Sequence, residues 1–210
     1  MKKNLQLLVI CICLCGIAHA QPGKTMYGIK GGLNLPNIKG LHEESMTLTT
    51  FHGGLFYNFA FAPQSRGRAQ FELLYSAQGA DLRDDKQEIR LNYLALPISL
   101  QLGLGRSDRP FLDNVYLEGG MQFGYLAAAK MKDTETKESI DLQDYYTTKN
   151  PDAKLSKIDA AVFGGIGINL SYTYQISCRY LYGLNSFVNS SSTEYDFSNS
   201  VFQLSMAFAF

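Results

Sequence analysis

The C-terminal residues of the chain alternate between large apolar side chains and small or polar ones, and this alternation dictates the local backbone. The large apolar side chains are Phe202, Leu204, Met206, Phe208 and Phe210. The side chains between them are Val201, Gln203, Ser205, Ala207 and Ala209. Since successive side chains of a strand point to opposite faces, a period of two predicts a β-strand with two chemically different faces.

The same alternation recurs along most of the chain, and from residue 26 onward no sustained apolar stripe of helical period replaces it. Eight segments of this kind predict eight strands, so the fold is expected to be all-β. Their approximate bounds are 26–35, 49–61, 69–79, 88–102, 114–129, 157–170, 172–184 and 198–210.

The two faces of these strands indicate a closed barrel with its apolar face outward. Eight large apolar faces carry more side-chain volume than the lumen of a small barrel can hold. The opposite faces are polar, which suits the interior of a membrane-spanning barrel. Their charged side chains are Lys30, Glu72, Glu118 and Arg179. We therefore predict an eight-stranded antiparallel up-and-down transmembrane β-barrel with these four side chains forming a polar cluster inside it.

The strand predicted over 88–102 departs from the regular pattern at two points. Its apolar phase slips between Tyr93 and Leu94, which places Leu94 and the alternate residues after it on the outer face. Pro97 has no backbone N–H to donate to a neighbouring strand, so we expect a bulge or local distortion there.

Connection lengths and aromatic positions predict the orientation of the barrel. The long connections are 36–48, 80–87, 130–156 and 185–197, and the short ones are 62–68, 103–113 and a turn near Leu170. Short turns are typical of the periplasmic end of such barrels. Seven aromatic side chains fall at that end and predict an interfacial girdle: Tyr27, Phe59, Phe61, Tyr172, Tyr174, Phe208 and Phe210.

Residues 1–20 have the pattern of a secretory signal peptide. Lys2 and Lys3 precede an apolar run, and Ala18 and Ala20 form an A-x-A cleavage site. We expect cleavage after Ala20, which leaves 21–210 as one barrel domain. Cleavage removes three of the four cysteines. The remaining Cys178 can complete neither an internal disulfide nor a Cys-based zinc site, and the sequence predicts no cofactor, metal site or catalytic residue.

The charge balance excludes a nucleic-acid partner. The chain has 19 basic and 19 acidic residues and no run of five basic ones. A nucleic-acid-binding surface needs a concentration of positive charge that this sequence lacks.

Several segments carry a resemblance to a known family. The apolar alternation that ends at Phe210 resembles the assembly signal of outer-membrane barrels, which the barrel-assembly machinery reads. Segments 90–98, 116–126, 163–167 and 179–184 are similar to the PorT-like "porin family" barrels of Bacteroidota. The resemblance covers about residues 24–210 and implies export to the outer membrane of a Gram-negative bacterium, with outer-membrane lipid and the barrel-assembly machinery as partners.

Four functional hypotheses are compatible with these patterns. An eight-stranded lumen is just wide enough for side chains to fill, so we expect a plugged, non-enzymatic barrel with an envelope or loop-mediated binding role. The second hypothesis is an outer-membrane enzyme that uses His52 at the outer rim, beside Ser45 or an acid from another strand. The third is an accessory subunit of a secretion complex, and the fourth is a secreted lipocalin-like carrier.

Overall fold

The computed structural model describes residues 25–39, 45–62, 65–82, 87–105, 110–133, 139–141, 154–186, 188–189 and 198–210. The predicted signal peptide, with Ala18 and Ala20, lies outside the described residues.

Eight long strands account for most of the described chain. They are β1 (Thr25–Lys39), β2 (Thr50–Ala60), β3 (Gly67–Leu82), β4 (Gln87–Gly103), β5 (Val115–Asp133), β6 (Ile158–Asn169), β7 (Tyr174–Ser186) and β8 (Ser198–Ala209). Each lies within a few residues of a segment predicted from the alternation.

The eight strands form one closed antiparallel barrel with up-and-down topology. Every strand pairs with its neighbour in the sequence. The barrel closes where β1 pairs with β8, for example with Leu33 opposite Leu204. Closure gives every long strand of the described chain two partners, so its backbone donors and acceptors are satisfied by neighbouring strands. The predicted fold class is confirmed.

The outer face of the barrel is apolar and the inner face is largely polar, as predicted. In β5, Met121 is 44% exposed, whereas the adjacent Gln122 is 4% exposed. In β8, Phe202 and Leu204 are exposed while Gln203 is buried. An exposed apolar belt of this kind is stable only against hydrocarbon.

The outward face that the sequence assigned to β4 from Leu94 onward is confirmed, but the strand itself does not change phase. Leu91 and Tyr93 are buried inside the barrel, whereas Leu94 and Leu96 are exposed on its outer face. The pairing of β4 with β5 shifts register between Asn92 and Tyr93. Asn92 pairs with Ala128 and Tyr93 with Leu126, so the extra residue lies in β5, at Ala127. The side chains of β4 alternate between the two faces without interruption, and the slip is one of apolar composition only.

Pro97 produces the expected local distortion. On one side of β4, Pro97 lies in register with Gln122. On the other side the ladder is interrupted, because Ile98 pairs with Phe71 and Ala95 with Leu74 but no pair is formed between them. A residue without an N–H cannot donate at this point of the ladder.

One half of the interior is less polar than the sequence predicted. Buried apolar side chains line the lumen toward the end of the barrel opposite the chain termini: Leu74, Leu91, Tyr93, Leu126, Met131, Phe163, Leu181 and Val201. They pack as a small hydrophobic core, for instance where Phe163, Leu181 and Val201 meet. The lining of this half is therefore mixed, because these apolar side chains lie beside buried polar ones such as Asn34, His52 and Gln203.

The end of the barrel that contains Thr25 and Phe210 has short connections, and we call it the short-turn end. Its connections are 61–66, 104–114 with a 3₁₀ helix over Pro110–Asn114, and 170–173. The opposite, long-loop end carries the short strands Ser45–Thr47, Ser139–Asp141, Lys154–Leu155 and Val188–Asn189. Among the described residues, no helix has the length and apolar character needed to cross a membrane.

Aromatic side chains form a continuous band on part of the outer surface at the short-turn end. Tyr27 lies 6.3 Å from Phe210, and Phe210 lies 5.4 Å from Phe208, between ring centroids. Phe208 in turn contacts Tyr174 at 5.3 Å. The contacts link β1, β8 and β7 in one aromatic band at the level where a membrane meets water, which is the position favoured by amphipathic and aromatic rings.

Candidate functional site

The four charged residues predicted to lie inside the barrel come from alternate strands: Lys30 from β1, Glu72 from β3, Glu118 from β5 and Arg179 from β7. All four are buried. In the circular order of strands, β3 and β7 lie on opposite walls, and so do β1 and β5. Inward residues of alternate strands meet at one level of a barrel. We call this layer the ionic cluster.

Arg179 is the centre of the ionic cluster. Its Nη1 donates to Glu72 Oε2 at 3.0 Å, and its Nη2 donates to Glu72 Oε1 at 2.5 Å. The same guanidinium binds Glu118, through Nε to Oε1 and through Nη2 to Oε2 at 2.9 Å. Arg179 is 2% exposed, so these bonds form away from water. Forked bonds to two carboxylates use the planar geometry that only arginine offers.

Lys30 completes the charge balance. Its Nζ lies 3.1 Å from Glu72 Oε1. The cluster therefore contains two positive and two negative side chains and is neutral as a unit. A buried charge without a partner is strongly destabilising, and this pairing removes that penalty.

A set of amide side chains, which we call the amide layer, supports the cluster on the side of the short-turn end. Gln70 Nε2 donates to Glu72 Oε1 at 2.5 Å, and Gln101 Nε2 donates to Glu118 Oε2 at 3.3 Å. Asn58 Nδ2 donates to Gln70 Oε1 at 2.9 Å and to Gln101 Oε1 at 2.7 Å. These bonds fix the orientation of both carboxylates and add polar side chains to the lumen.

Phe163 is a member of the site that the sequence analysis did not assign. The Arg179 guanidinium carbon lies 4.8 Å from the centroid of its ring. A guanidinium over an aromatic face is favourable, and the ring also fills space beside the cluster. The alternation of β6 does place residue 163 on the inner face, but an aromatic ring there conflicts with the expectation of a polar lining.

His52 forms a second buried network, one layer toward the long-loop end. Its Nδ1 lies 2.7 Å from Asn34 Oδ1, and its Nε2 lies 2.9 Å from Ser205 Oγ. Gln203 Nε2 also donates to Asn34 Oδ1 at 2.9 Å. Because Asn34 Oδ1 can only accept, His52 carries its proton on Nδ1 and accepts from the Ser205 hydroxyl.

The expectation that His52 lies beside Ser45 is wrong. Ser45 pairs with Leu82 on β3, whereas His52 pairs with Ser76 on the same strand. This separation of six residues along β3 corresponds to about 20 Å, so His52 is not beside Ser45. Within the described chain its side-chain hydrogen bonds are to an amide and a hydroxyl rather than to an acid. At 2% exposure it lies inside the barrel and not at an open rim.

Four of the five residues of the predicted assembly signal lie on the outer face of β8, and Phe210 follows its last residue. Leu204 and Met206 are exposed in the apolar belt, and Phe210 is exposed beside Tyr27 in the aromatic band. The backbone N–H of Phe210 donates to Tyr27 O at 2.9 Å, which extends the closure of the barrel to the last residue. Their role in assembly stays a prediction.

The apolar belt, the closed antiparallel sheet and the ionic interior together define a membrane-spanning β-barrel of the outer-membrane class. A family model described as "Outer membrane protein beta-barrel domain" matches residues 19–189. This match covers most of the chain, and the protein belongs to that family. Among curated proteins, none shows a significant sequence match.

Solved structures of bacterial outer-membrane proteins are similar to this chain. Ail, the attachment invasion locus protein of Yersinia pestis, is 15% identical, with a TM-score of 0.51 over 89% of this chain and 99% of Ail. Neisserial surface protein A is 9% identical, with a TM-score of 0.49 over 89% and 97% of the two chains. OprG from Pseudomonas aeruginosa is 13% identical, with a TM-score of 0.43 over 90% and 96%. The likeness to Ail supports the fold alone.

The protein is thus located in the outer membrane of a Gram-negative bacterium. The short-turn end accordingly faces the periplasm and the long-loop end faces the exterior. The hypothesis of a secreted lipocalin-like carrier is wrong, because such a carrier would turn its apolar side chains inward.

Proposed function

We propose that this protein is a plugged, non-enzymatic outer-membrane barrel that acts through its extracellular end. The observation that carries the proposal is the contact between Arg179 and Glu72, whose side chains meet from opposite walls of the lumen. Side chains of two opposite strands that touch leave no continuous aqueous path between them.

Physical chemistry favours a closed lumen at this level. The interior of an eight-stranded barrel is barely wider than the side chains that line it. Opening it would separate Arg179 from at least one carboxylate, and an unpaired buried charge costs several kcal/mol. The small hydrophobic core above the cluster adds a second obstacle, since apolar side chains at van der Waals contact exclude water.

A rigid, closed barrel serves as a scaffold for the extracellular connections. Binding residues are often placed on loops that a rigid framework positions. An envelope or loop-mediated binding role therefore fits this architecture better than transport does. The resemblance of segments such as 90–98 to PorT-like barrels supports one alternative, an accessory subunit of a secretion complex.

Liposome swelling tests the plug. Liposomes containing the folded protein should not swell in iso-osmotic solutions of small sugars, whereas liposomes containing an open porin should. Swelling at a rate that falls with the size of the sugar would overturn the proposal. Chemical cross-linking in native membranes, followed by purification, separates the two roles: stoichiometric recovery of secretion subunits would favour the accessory-subunit alternative.

One observation favours a second candidate function. Ser205, His52 and Asn34 form a chain of hydrogen bonds in the order of nucleophile, base and orienting group that hydrolases use. All three side chains are buried, however, and Asn34 is also bound to Ser76 at 3.1 Å. We therefore assign them a structural role. A fluorophosphonate probe should leave Ser205 unlabelled, and labelling that is lost in His52→Ala would establish the enzyme instead.

We also propose outer-membrane lipid and the barrel-assembly machinery as partners, with residues 1–20 directing export. The apolar belt supports the first partner, and the alternate apolar residues of β8 that end at Phe210 support the second. Deletion of Phe210, considered in the Discussion, tests the assembly signal.

A further inference from the structure

A cavity of about 360 Å³ opens at the periplasmic end of the lumen, on the far side of the amide layer from the ionic cluster. Its polar lining includes Arg66, Arg68, Gln101, Asp113, Tyr116 and Asn169. Gln101 forms part of the wall and also donates to Glu118, so the amide layer separates this cavity from the ionic cluster. The volume lies within the range of about 300–1,000 Å³ that is common for small-molecule sites.

Arg68 has unused hydrogen-bond donors beside this cavity. Within the part of the chain that the structure describes, its guanidinium forms no salt bridge, and its polar contact is to Met26 Sδ at 3.9 Å. Arg179 in the same barrel is bound to two carboxylates. A guanidinium carries five N–H donors, and a thioether sulfur is a weak acceptor. Arg68 therefore has N–H donors that can bind an oxyanion such as a phosphate or a carboxylate.

The remaining lining sets the charge and the polarity of a ligand. Arg66 adds a second positive side chain, and Asp113 is the one carboxylate among the lining residues of the described chain. Asn169 Oδ1 is buried and has no hydrogen-bond partner. An amide oxygen that is shielded from water and unpaired is costly, so this atom requires a donor.

We propose that the cavity binds a small molecule that carries a phosphate or carboxylate together with a hydroxyl or amino donor. Arg68 and Arg66 bind the oxyanion, and the donor of the ligand reaches Asn169 Oδ1. Such chemistry has two sources at this position: soluble metabolites of the periplasm and the headgroups of phospholipids in the inner leaflet. The site lies at the end of the barrel opposite the extracellular connections and is independent of their role.

Calorimetric titration of the purified full-length protein in a non-ionic detergent and a phosphate-free buffer tests the site. The probes are glycerol 3-phosphate and propyl phosphate, which differ only in the two hydroxyl donors. Glycerol 3-phosphate should bind at least fivefold more tightly than propyl phosphate. Arg68→Gln should weaken its binding at least tenfold, whereas Lys157→Gln, an equal change of charge at an exposed residue of the other end, should not.

A second variant tests the role of the buried amide. Asn169→Leu should reduce the affinity for glycerol 3-phosphate to that for propyl phosphate, with heat-modifiable gel mobility showing that each variant is folded. Repeating the titration in nanodiscs distinguishes the two sources. A lower affinity with phosphatidylethanolamine, whose headgroup has an amino donor, than with phosphatidylcholine, which has the same net charge and no donor, identifies the headgroup as the occupant, and equal affinity identifies the soluble ligand. Absence of binding by both probes, or unchanged binding by Arg68→Gln, would overturn the proposal.

Discussion

Arg179 and Glu72 are 107 residues apart in the sequence and meet across the lumen from opposite walls of the barrel, with Arg179 Nη1 at 3.0 Å from Glu72 Oε2. Glu118 and Lys30 join the same layer from the two remaining alternate strands. The side chain of Arg179 thus connects β7 to β3 and β5 directly, independently of the backbone hydrogen bonds of the sheet. This contact holds opposite walls together and closes the lumen at the same point.

Replacing Arg179 tests the contribution of the ionic cluster to stability. Arg179→Met removes every partner of Glu118 except Gln101, so the free energy of unfolding should fall by about 3–5 kcal/mol. Urea titration in detergent, followed by heat-modifiable gel mobility, measures the change. Arg179→Met combined with Glu118→Gln restores neutrality, because the Lys30 pair with Glu72 remains. This double variant should recover part of the loss, and a double variant less stable than the single one would contradict the account.

The inside-out arrangement of β5 predicts opposite labelling of two adjacent residues. In a Cys178→Ser background, a cysteine at Met121 should react with a lipid-soluble maleimide in bilayers, because residue 121 is exposed in the middle of the apolar belt. A cysteine at Gln122 should remain unlabelled, since it faces the packed lumen. The reverse result would mean that the faces are misassigned. Met121→Arg should also lower the free energy of unfolding by about 2–4 kcal/mol, as expected for a charge near the bilayer midplane.

Two adjacent glycines of β5 should differ in their tolerance of alanine. A Cβ atom at Gly120 would clash first with the backbone oxygen of Ile98 on β4, and it would also lie 2.8 Å from Ser99 Cα and 2.9 Å from Phe163 Cζ. A Cβ atom at Gly119 would have Phe163 O as its nearest neighbour, at 3.8 Å, and would face outward. Gly120→Ala should therefore cost about 1–3 kcal/mol of unfolding free energy. Gly119→Ala should change it by less than about 0.5 kcal/mol, and equal effects in urea titration would refute this packing.

Phe210 is predicted to act in assembly as well as in anchoring. Its ring contacts Tyr27 and Phe208 in the aromatic band. Deleting Phe210 should strongly lower the amount of folded barrel in the outer membrane and leave export to the periplasm intact. Quantitative immunoblotting of membrane and periplasmic fractions measures both amounts. Normal levels of folded protein would count against the assembly signal.

Alternation alone was sufficient to predict the barrel, because the period of two is a local property of each strand. The eight strands and their outward faces, including Leu94 and Leu96 of β4, follow from it directly. The inward position of Arg179 follows as well, but its partners do not. Which residues meet across the lumen depends on strand register and on residues that lie far apart in the chain, such as Glu72.

Three features of the lumen needed the structure for a related reason. The inner face of β4 carries Leu91 and Tyr93, and a sequence in which both faces of a strand are apolar does not show which one meets lipid. The network of His52 with Asn34 and Ser205 joins three strands that no local pattern connects. The lack of a carboxylate partner for Arg68 is likewise a property of the packed lumen and not of its sequence neighbours.

Planar-bilayer recording of the unmodified protein tests the plugged lumen most directly. With the ionic cluster intact, the bilayer should show no large, stable conductance at any voltage that the membrane withstands. Arg179→Ala removes the side-chain contact between the opposite walls at this layer. This variant should show small ionic currents, and Lys157→Ala should not. A large and steady water-filled conductance from the unmodified protein would contradict the plug and establish a diffusion pore.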